Sequence, residues 1–281
     1  MTRCAAILLA VLLASCTRED TIVVGSKNFT ESVLLGEIVA QRLEKAGCHV
    51  ERKLDLGGTF VCDRAIAAGS IDVYPEYSGT ALTAILKRGV EKDRLSVMSI
   101  VSREYQKRGL KFGPALGFEN TFAMIVRGSD AQRLTLSTIS DLGRVTTVFR
   151  PGFGYEFVER PDGWNGLQQH YGLRFTRRLA TMDLGLTYRA LASGKVDLIA
   201  GNSTDGLIAA LGLVVLADDR HFFPPYDAAI VWRADISKKC AAAPAALDSL
   251  KGILTEQTMR RLNHAIDGEH RSAAVVARGV S

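Results

Sequence analysis

Four aromatic residues could together perform one kind of binding chemistry. Tyr77, Phe122, Tyr155 and Tyr226 all stand in or beside predicted loops and crossings, next to small or polar residues. Aromatic faces attract a quaternary ammonium ion through the ring quadrupole, at roughly 0.5–2 kcal/mol for each ring once the ion is desolvated. Because a methylated ammonium has no N–H to donate, an aromatic cage recognises it where hydrogen bonds cannot. For each ring taken singly, ordinary packing is an equally good interpretation.

The segment Gly25–Glu31 is a second candidate for binding, since it joins a predicted strand to a predicted helix. Free backbone N–H groups at the start of a helix form a natural seat for a carboxylate. Asn28 and Glu31, three residues apart, are expected to form a capping box for that helix. The segment therefore predicts a site for the anionic part of a ligand.

The sequence offers little for catalysis or metal binding. Its five histidines are scattered, with no HExxH motif and no cluster with carboxylates at ligand spacing. Gly201-Asn202-Ser203 does not complete a nucleophile elbow, because Asp205 stands where the second glycine should be. We therefore expect no catalytic residues, no metal and no cofactor, although carboxylates brought together by folding would still be compatible with an enzyme.

The elements that must position these residues follow a repeated pattern. Residues 65–73 (AIAAGSIDV) and 190–198 (ALASGKVDL) each predict a helix end, a glycine stop and a buried strand. In the first copy we expect the strand at Ile71–Tyr74 and a tight loop at 75–80. Two copies, each preceded by its own strand, loop and helix, predict two similar lobes. Because open α/β sheets bind ligands at the carboxyl ends of their strands, the two following loops are expected to face one cleft.

The order of the elements indicates how the lobes are connected. The extended run 118–126 predicts the first crossing, a strand at Val145–Phe149 opens the second lobe, and residues 221–229 bring the chain back. We therefore expect an α/β fold in which residues 21–122 and 227–281 form lobe I and residues 123–226 form lobe II. The tail from Ala245 is predicted to be helical.

The N-terminus has the features of an exported lipoprotein. Arg3 precedes the apolar run 5–14, which is too short to span a bilayer, so residues 1–15 are predicted to be a signal peptide. Leu-Ala-Ser-Cys resembles the bacterial lipobox, which implies acylation of Cys16, with residues 16–20 as a tether. The lipid would anchor the protein to a membrane, in the periplasm or on the outer cell surface. A plain secretory signal with a coincidental cysteine is the alternative.

Charge and cysteine content narrow the range of partners. Without Arg3, 34 basic residues stand against 30 acidic ones, and the surplus is spread thinly, which favours a solvated surface over nucleic-acid binding. Cys48, Cys62 and Cys240 show no CxxC spacing for a zinc site. One disulfide would be compatible with export, but small buried side chains are the more expected role.

Five motifs make the chain similar to a known family. They are GSKNFTE (25–31), LGGT (56–59), DVYPEYSGT (72–80), NTFA (120–123) and FFPPYD (222–227). Together they resemble the osmoprotectant-type substrate-binding proteins of ABC importers, which bind glycine betaine, choline, carnitine and related compounds. The resemblance runs from about Thr21 to the C-terminal helix. It implies the type II periplasmic-binding-protein fold, with two α/β lobes, two crossings and a ligand trapped between them.

The resemblance also implies roles for individual positions. Tyr77 and Tyr226 would be walls of the cage, while Thr80 and Asn120 would make polar contacts with the ligand. The partners would be an ABC permease with its ATPase, and the protein would act as a monomer without catalysis. We expect four further residues in the same loops to contact the ligand: Ser26, Phe29, Tyr155 and Asp205.

Two positions depart from the family pattern. Phe122 keeps the ring of a common tyrosine but lacks its hydroxyl, and Asn202 stands where choline and betaine binders often carry tyrosine. A cage that has lost one wall favours either weaker betaine binding or a ligand with an extra polar group, such as ergothioneine. A periplasmic enzyme on the same scaffold and a ligand-sensing subunit of a membrane receptor are alternatives from other functional classes.

Overall fold

The structure, a computed structural model, describes residues 20–280. The predicted signal peptide, Cys16 and the tether up to residue 19 lie outside the described residues. The described chain forms two five-stranded sheets. Their strands are β1 (Thr21–Gly25), β2 (His49–Lys53), β3 (Val73–Tyr77), β4 (Leu110–Phe112), β5 (Phe122–Arg127), β6 (Pro151–Gly154), β7 (Ala180–Met182), β8 (Leu198–Asn202), β9 (Leu213–Leu216) and β10 (Ala228–Arg233).

Helices connect and cover the strands. They are α1 (Thr30–Lys45), α2 (Thr59–Ala67), α3 (Ser78–Thr80), α4 (Arg94–Lys107), α5 (Gly128–Leu134), α6 (Tyr155–Glu159), α7 (Trp164–Tyr171), α8 (Leu184–Ala192), α9 (Leu207–Ala210), α10 (Ala243–Asp248), α11 (Glu256–Asp267) and α12 (Ala273–Ala277). A π-helical turn, Ala81–Ile85, continues α3, and short 3₁₀ turns lie at Ser140–Arg144 and Ile236–Lys238. Within residues 20–280, no helix is both long enough and apolar enough to cross a membrane.

Both sheets have the same topology. The strand order is β2-β1-β3-β10-β4 in the first sheet and β7-β6-β8-β5-β9 in the second. In each sheet the first three strands are parallel, and the fourth runs antiparallel to both of its neighbours. That fourth strand, β10 or β5, is the one the chain enters after crossing from the other sheet. The two sheets are thus topological copies, as the repeated sequence pattern predicts.

The repeated helix–glycine–strand pattern is confirmed in both copies. Helices α2 and α8 end just before Gly69 and Gly194, whose φ angles of +70° and +69° are left-handed values that glycine adopts without steric cost. The strands that follow, β3 and β8, occupy the central position of their sheets. The aspartates of the pattern also match, because Asp72 and Asp197 each accept a hydrogen bond from a backbone N–H of the neighbouring segment, at 2.8 and 3.0 Å.

Two segments carry the chain between the sheets. Residues 113–121 lead from β4 to β5, and residues 217–227 lead from β9 to β10. A β-bridge between Glu119 and Asp227 joins the two crossings, and Arg94 of α4 pairs with both carboxylates. The crossings are therefore held to each other beside α4.

Helix α1 is the central helix of the first sheet's core. Leu34, Leu35, Ile38, Val39 and Leu43 are all buried, in the i, i+3, i+4 spacing of a core-facing helix. The helix contacts β1, β2 and β3 on the sheet and α10, α11 and α12 from the C-terminal tail. The tail is helical as predicted, but it is divided into those three short helices. The chain's last segment therefore completes the core that its first segment opens.

Two local predictions were wrong. Residues 75–77 belong to β3 and do not form a tight loop, since Pro75 and Tyr77 pair with Ile230 and Ala228 of β10. The partner strand β10 lies about 150 residues later in the sequence. The local Pro and Gly residues therefore could not reveal that residues 75–77 pair with it.

The predicted strand Val145–Phe149 is the second error. This segment is a turn, and the strand forms six residues later as β6. Val145 and Phe149 are instead buried in the hydrophobic core. Glycine fits in β6 because a Cβ on Gly152 would lie only 2.5 Å from a Val196 methyl. The Val196 side chain therefore leaves room only for glycine at this position of the strand.

A disulfide joins Cys48 and Cys240, at a Cα–Cα distance of 5.6 Å and a sequence separation of 192 residues. Cys62 is a buried free thiol. A disulfide was the less expected role in the sequence analysis, and it holds for two of the three cysteines. The bridge ties the start of β2 to the segment that follows β10, which are distant parts of one core.

Candidate ligand-binding site

A cavity of about 230 Å³ lies between the two sheets. It is bordered by the starts of α1, α2, α6 and α8 and by the ends of β3 and β8, where the sequence placed the cleft. Its lining is largely aromatic and polar: Lys27, Asn28, Phe29, Gly58, Thr59, Tyr77, Thr80, Asn120, Phe122, Gly154, Tyr155, Glu156, Phe157, Arg160, Asp183, Leu184, Ala200, Gly201, Asn202 and Tyr226.

Tyr77 enters the cavity wall from the last position of β3. Its hydroxyl donates a hydrogen bond of 2.7 Å to Oε1 of Glu31, behind the wall. Its ring centre lies 6.1 Å from that of Phe29, at an interplanar angle of 31°. Since the hydroxyl is already satisfied, the ring is the part of Tyr77 that is available to a ligand.

Tyr226 and Phe122 form the neighbouring part of the wall. Their ring centres are 5.9 Å apart in an edge-to-face arrangement, and Phe157 packs against Phe122 at 4.9 Å. The hydroxyl of Tyr226 donates to Asp162, so it is anchored away from the cavity as that of Tyr77 is. Edge-to-face packing holds such rings in fixed orientations. These packed rings form one continuous part of the cavity wall.

Arg160 is the main cation in the lining. It is only 4% exposed and forms a two-pronged ion pair with Asp162, with contacts of 2.9 and 2.6 Å. Its third contact is a hydrogen bond of 3.2 Å to the hydroxyl of Thr80, which belongs to the other half of the structure. The guanidinium carbon lies 4.7 Å from the ring centre of Phe122. Arg160 thus links the two sheets through the floor of the cavity.

Lys27 is a second buried cation beside the cage. Its ammonium pairs with Glu76 at 2.5 Å and lies 5.3 Å from the ring centre of Tyr77. Burial raises the pKa of Glu76 above its ordinary value, and the charge of Lys27 opposes that rise. Because Glu76 neutralises Lys27, this pair adds little net charge to the cavity.

Glu31 is where the sequence interpretation was wrong. Helix α1 starts at Thr30 with Phe29 as its N-cap, and no side chain caps it, so the capping box of Asn28 and Glu31 does not form. The Glu31 carboxylate is fully buried and accepts four hydrogen bonds instead. The donors are Tyr77 Oη at 2.7 Å, Asn120 Nδ2 at 2.8 Å, Thr204 Oγ1 at 2.5 Å and Asn263 Nδ2 at 2.9 Å. Burial raises the pKa of Glu31 to about 7, although the hydrogen bonds from Thr204, Tyr77 and Asn263 oppose the rise.

Glu156 reaches across the cleft to the first half of the chain. Its Oε1 accepts a hydrogen bond of 2.5 Å from the backbone N–H of Thr59, at the start of α2. A Cβ added to Gly58 would lie 1.9 Å from this oxygen, so only glycine allows so close an approach. A carboxylate at a helix N-terminus interacts favourably with the helix dipole. The contact therefore joins the two halves of the chain beside the cavity.

Eight of the ten residues predicted to contact a ligand line the cavity: Phe29, Tyr77, Thr80, Asn120, Phe122, Tyr155, Asn202 and Tyr226. Tyr155 is 56% exposed and lies at the rim. The structure does not bring Ser26 or Asp205 into the lining. Ser26 is fully buried and accepts a hydrogen bond from the backbone of Asp55, which shapes the loop. Asp205 stands behind Asn202 and accepts hydrogen bonds from it and from Tyr188.

Sequence reasoning did not single out the charged part of the lining. Lys27 lies inside the recognised GSKNFTE motif and could have been noted there. Arg160 and Glu156 carry no local signal, because an arginine at the end of a helix and a glutamate in its first turn are common surface choices. Within residues 20–280, His, Cys, Asp and Glu side chains do not come together in a group that could hold a metal ion.

Comparison with known proteins identifies the family. The profile described as "Substrate binding domain of ABC-type glycine betaine transport system" (OpuAC) matches residues 20–279. The chain belongs to this family. It therefore has the type II periplasmic-binding-protein fold and is a substrate-binding component of an ABC importer. Members of the family are extracytoplasmic transport proteins that bind small solutes and serve a permease, and they are not enzymes.

Three similar proteins illustrate the family. The "Ergothioneine transport permease/ergothioneine binding protein EgtU" of Helicobacter pylori is 34% identical over 97% of this chain, which spans 51% of that relative. The "Carnitine transport binding protein OpuCC" of Listeria monocytogenes is 31% identical over 95% of this chain and 90% of its own length. A solved glycine betaine/carnitine/choline ABC transporter structure superposes with a TM-score of 0.74 at 30% identity, covering 92% of this chain and 96% of that one.

Proposed function

We propose that this protein binds a small quaternary-ammonium solute in the cavity and delivers it to an ABC permease with its ATPase. The observation that carries the proposal is the aromatic enclosure formed by Tyr77, Phe122 and Tyr226. Both tyrosine hydroxyls are anchored to carboxylates behind the wall, so the wall offers ring surface. Ring faces bind a methylated ammonium through the quadrupole, and they do so best in a desolvated cavity.

Arg160 is the group we assign to the anionic end of a zwitterionic solute. Its guanidinium is buried at the cavity, and its planar fork has more donors than Asp162 and Thr80 use. Lys27 is less suitable, since Glu76 already neutralises it. The hydroxyl of Thr80 accepts a hydrogen bond from Arg160. Thr80 then supports the cation that holds the ligand.

Ligand binding would close the cleft between two bodies. One body comprises residues 21–122 and 227–281, and the other comprises residues 123–226. The contacts of Glu156 with Thr59 and of Arg160 with Thr80 connect these bodies on either side of the cavity. A ligand shifts an open–closed equilibrium only by binding the closed state better. A solute that touches Tyr77 on one body and Arg160 on the other meets that condition, and the closed form docks on the permease.

Asn202 bears on which quaternary amine is carried. It lines the cavity where many choline and betaine binders have tyrosine, so it offers an amide where they offer a ring. The similarity to both an ergothioneine binder and a carnitine binder is compatible with a solute larger than glycine betaine. We therefore place carnitine and ergothioneine beside glycine betaine and choline as candidates.

We further propose that the mature chain is a monomeric lipoprotein anchored through Cys16. The lipobox supports this, as does the disulfide between Cys48 and Cys240, because stable disulfides occur mainly in oxidising, extracytoplasmic compartments. Metabolic labelling with a fatty-acid analogue would test the anchor. Label on the wild type and none on Cys16→Ser is the expected result.

Isothermal titration calorimetry of the unlipidated chain tests the function directly. Glycine betaine, choline, carnitine and ergothioneine are titrated into the wild type, Tyr77→Ala and Tyr226→Ala. We expect at least one solute to bind and its affinity to fall roughly five- to thirtyfold in either variant, which is what the loss of about 1–2 kcal/mol of ring interaction gives. A folded protein that binds none of the four would overturn the quaternary-amine proposal.

A further inference from the structure

The second sheet carries a row of basic side chains along one edge. In the order β7-β6-β8-β5, the first three strands start at the edge where β5 ends. Arg177 and Arg178 come just before β7, and Arg150 comes just before β6. Lys195 comes shortly before β8, and Arg127 is the last residue of β5. Because neighbouring strands lie about 4.8 Å apart, these five side chains form one row, which we call the basic edge.

Contacts between the segments that precede the strands support this arrangement. Nε of Arg177 donates to the carbonyl oxygen of Thr147 at 3.2 Å, close in sequence to Arg150. Arg150 in turn donates to the carbonyl oxygen of Gly194 at 2.6 Å, next to Lys195. The basic residues are far apart in the sequence, and folding brings them to one edge.

Few carboxylates balance the basic edge. Asp197 pairs with both Arg127 and Arg150. Asp130 pairs with Arg127 and with Arg133, a further exposed arginine. The other three members of the basic edge are exposed and form no ion pair within residues 20–280. Six cations thus share two carboxylates, which leaves a surplus of four positive charges at this end of the sheet.

The first sheet shows that the fold does not require these cations. It has the same topology, so each position of the basic edge has a counterpart there. Only Arg127 has a basic counterpart, Arg233 at the end of β10. At the four other positions the first sheet has Asp20, Gly47, Cys48 and Ser70. The cations that are particular to the second sheet therefore indicate a role beyond folding.

An exposed apolar side chain lies beside the basic edge. Val148 is 57% exposed, and it stands between Thr147, which accepts from Arg177, and the buried Phe149. Cations around an exposed apolar side chain are typical of surfaces that bind membranes. The cations attract anionic headgroups, while the apolar group enters the boundary with the acyl chains. A soluble polyanion would gain nothing from Val148.

We propose that the basic edge and Val148 bind the surface of a membrane that contains anionic phospholipid. Guanidinium groups pair with phosphate oxygens through charge-assisted hydrogen bonds. The edge lies at the start of β8, whereas the cavity borders the end of that strand, so the contact leaves the cavity open to solute. It does not depend on which solute is carried, and it would orient a chain anchored at Cys16 in the way proposed above.

Vesicle sedimentation of the unlipidated chain tests the proposal, because without acyl chains only the protein surface can bind. Vesicles of phosphatidylcholine are compared with an equimolar mixture of phosphatidylcholine and phosphatidylglycerol. We expect the wild type to bind the mixture at least tenfold more tightly, since each cation near an anionic surface contributes roughly fivefold. Raising NaCl from about 0.05 to about 0.5 M should remove most of that difference, because salt screens the charges.

Two matched double variants assign the binding to this edge. Arg177→Gln/Arg178→Gln removes two unpaired cations and should weaken binding to the mixed vesicles by roughly tenfold or more. Arg88→Gln/Arg103→Gln removes the same charge from exposed arginines of the other body, and its affinity should stay within about threefold of the wild type. Thermal unfolding checks that each variant is folded. If the first double variant does not fold, Lys195→Gln replaces it, with an expected loss of roughly fivefold.

Val148→Ser distinguishes a membrane from a soluble polyanion. Binding to the mixed vesicles should weaken about threefold or more, because an apolar side chain no longer enters the boundary region. Binding to polyphosphate, which offers no apolar boundary, should be unchanged.

Equal binding to both kinds of vesicle, or equal losses in the two double variants, would overturn the inference. Binding of polyphosphate without binding of the mixed vesicles would also overturn it, and would indicate a soluble polyanion as the partner. Solute binding in the cavity is measured separately by calorimetry, so each of these outcomes leaves the proposed function intact.

Discussion

The hydroxyl of Tyr77 donates to Oε1 of Glu31 at 2.7 Å, which joins the wall of the cage to a fully buried carboxylate. Glu31 lies in the first turn of α1, while Thr204, which also donates to it, follows β8 of the second sheet. One carboxylate therefore orients a cage residue and connects the two halves of the protein. Because the ring and the hydroxyl of Tyr77 make different contacts, mutation can separate the contribution of the ring from that of the hydroxyl.

Tyr77→Phe should preserve ligand binding and Tyr77→Ala should not. The ring faces the cavity and the hydroxyl faces Glu31, so removing the hydroxyl costs stability while removing the ring costs affinity. We expect Tyr77→Phe to stay within about threefold of the wild-type Kd and to lose roughly 1 kcal/mol of unfolding free energy. Calorimetry and urea unfolding on the same samples separate the two effects. Equal losses of affinity in both variants would contradict a ring-based role.

The stability of the protein should depend on the ionisation of Glu31. Burial raises its pKa from 4.5 to about 7 in the folded chain, so the folded state binds more protons than the unfolded state between these values. This contribution to stability is fully present below pH 4.5 and is lost as the pH rises through 7. It corresponds to on the order of 3 kcal/mol. Urea unfolding between pH 4.5 and 7.5 should therefore show a flatter pH dependence in Glu31→Gln than in the wild type.

The control for that experiment is Asp205→Asn. Burial raises the pKa of Asp205 to about 6, so this carboxyl acts in the same direction over a lower pH window. The wild-type slope should contain both contributions, and each variant should lose mainly its own, because the charge of Asp205 is the smallest of the causes that shift the pKa of Glu31. Identical slopes for wild type and Glu31→Gln would show that this carboxyl does not titrate in the window.

Gly58→Ala should weaken binding by disturbing the contact between Glu156 and α2. The added Cβ would lie 1.9 Å from Oε1 of Glu156, and the flexible glutamate can move away only by giving up its hydrogen bond to Thr59. We expect roughly a tenfold loss of affinity, equivalent to about 1.4 kcal/mol, because the contact is made in the closed form. Gly143→Ala is the matched control, since nothing lies within 4 Å of a Cβ there.

A double-mutant cycle sharpens this prediction. In a Glu156→Ala background the clash is absent and the hydrogen bond is already lost, so Gly58→Ala should have little additional effect on Kd. Strongly non-additive changes are expected of residues that act through one contact. Additive changes in the cycle would mean that Gly58 and Glu156 influence binding independently.

Removing the disulfide should destabilise the protein without altering its ligand. Cys48 and Cys240 join segments 192 residues apart in one core, and the loss of a native disulfide typically costs about 2–4 kcal/mol. A lower melting temperature of Cys48→Ser/Cys240→Ser, with Kd unchanged, is the expected result. Dithiothreitol should lower the melting temperature of the wild type and leave the variant unaffected. Burial raises the pKa of the Cys62 thiol, which disfavours the thiolate that exchange with the bridge requires.

The sequence was sufficient for features that depend on local periodicity and on repeated motifs. The glycine stops at Gly69 and Gly194 require a left-handed backbone that glycine adopts freely, so they mark helix ends wherever they occur. The repetition of the same helix–strand unit predicted two similar lobes. The aromatic residues beside its loops predicted where the cavity lies. These signals are local, because the backbone geometry of a few residues determines them.

Only the tertiary structure decided what each polar side chain does. Glu31 looked like a helix cap, but it is buried under four donors that come from residues 77, 120, 204 and 263. Arg160 and Glu156 carried no local signal in the sequence, and they line the cavity because the second sheet faces the first. The partner of Cys48 was likewise set by the position of the C-terminal segment. Hydrogen bonds and ion pairs need partners within about 3 Å, and for these groups the chain brings such partners together only after both halves have folded.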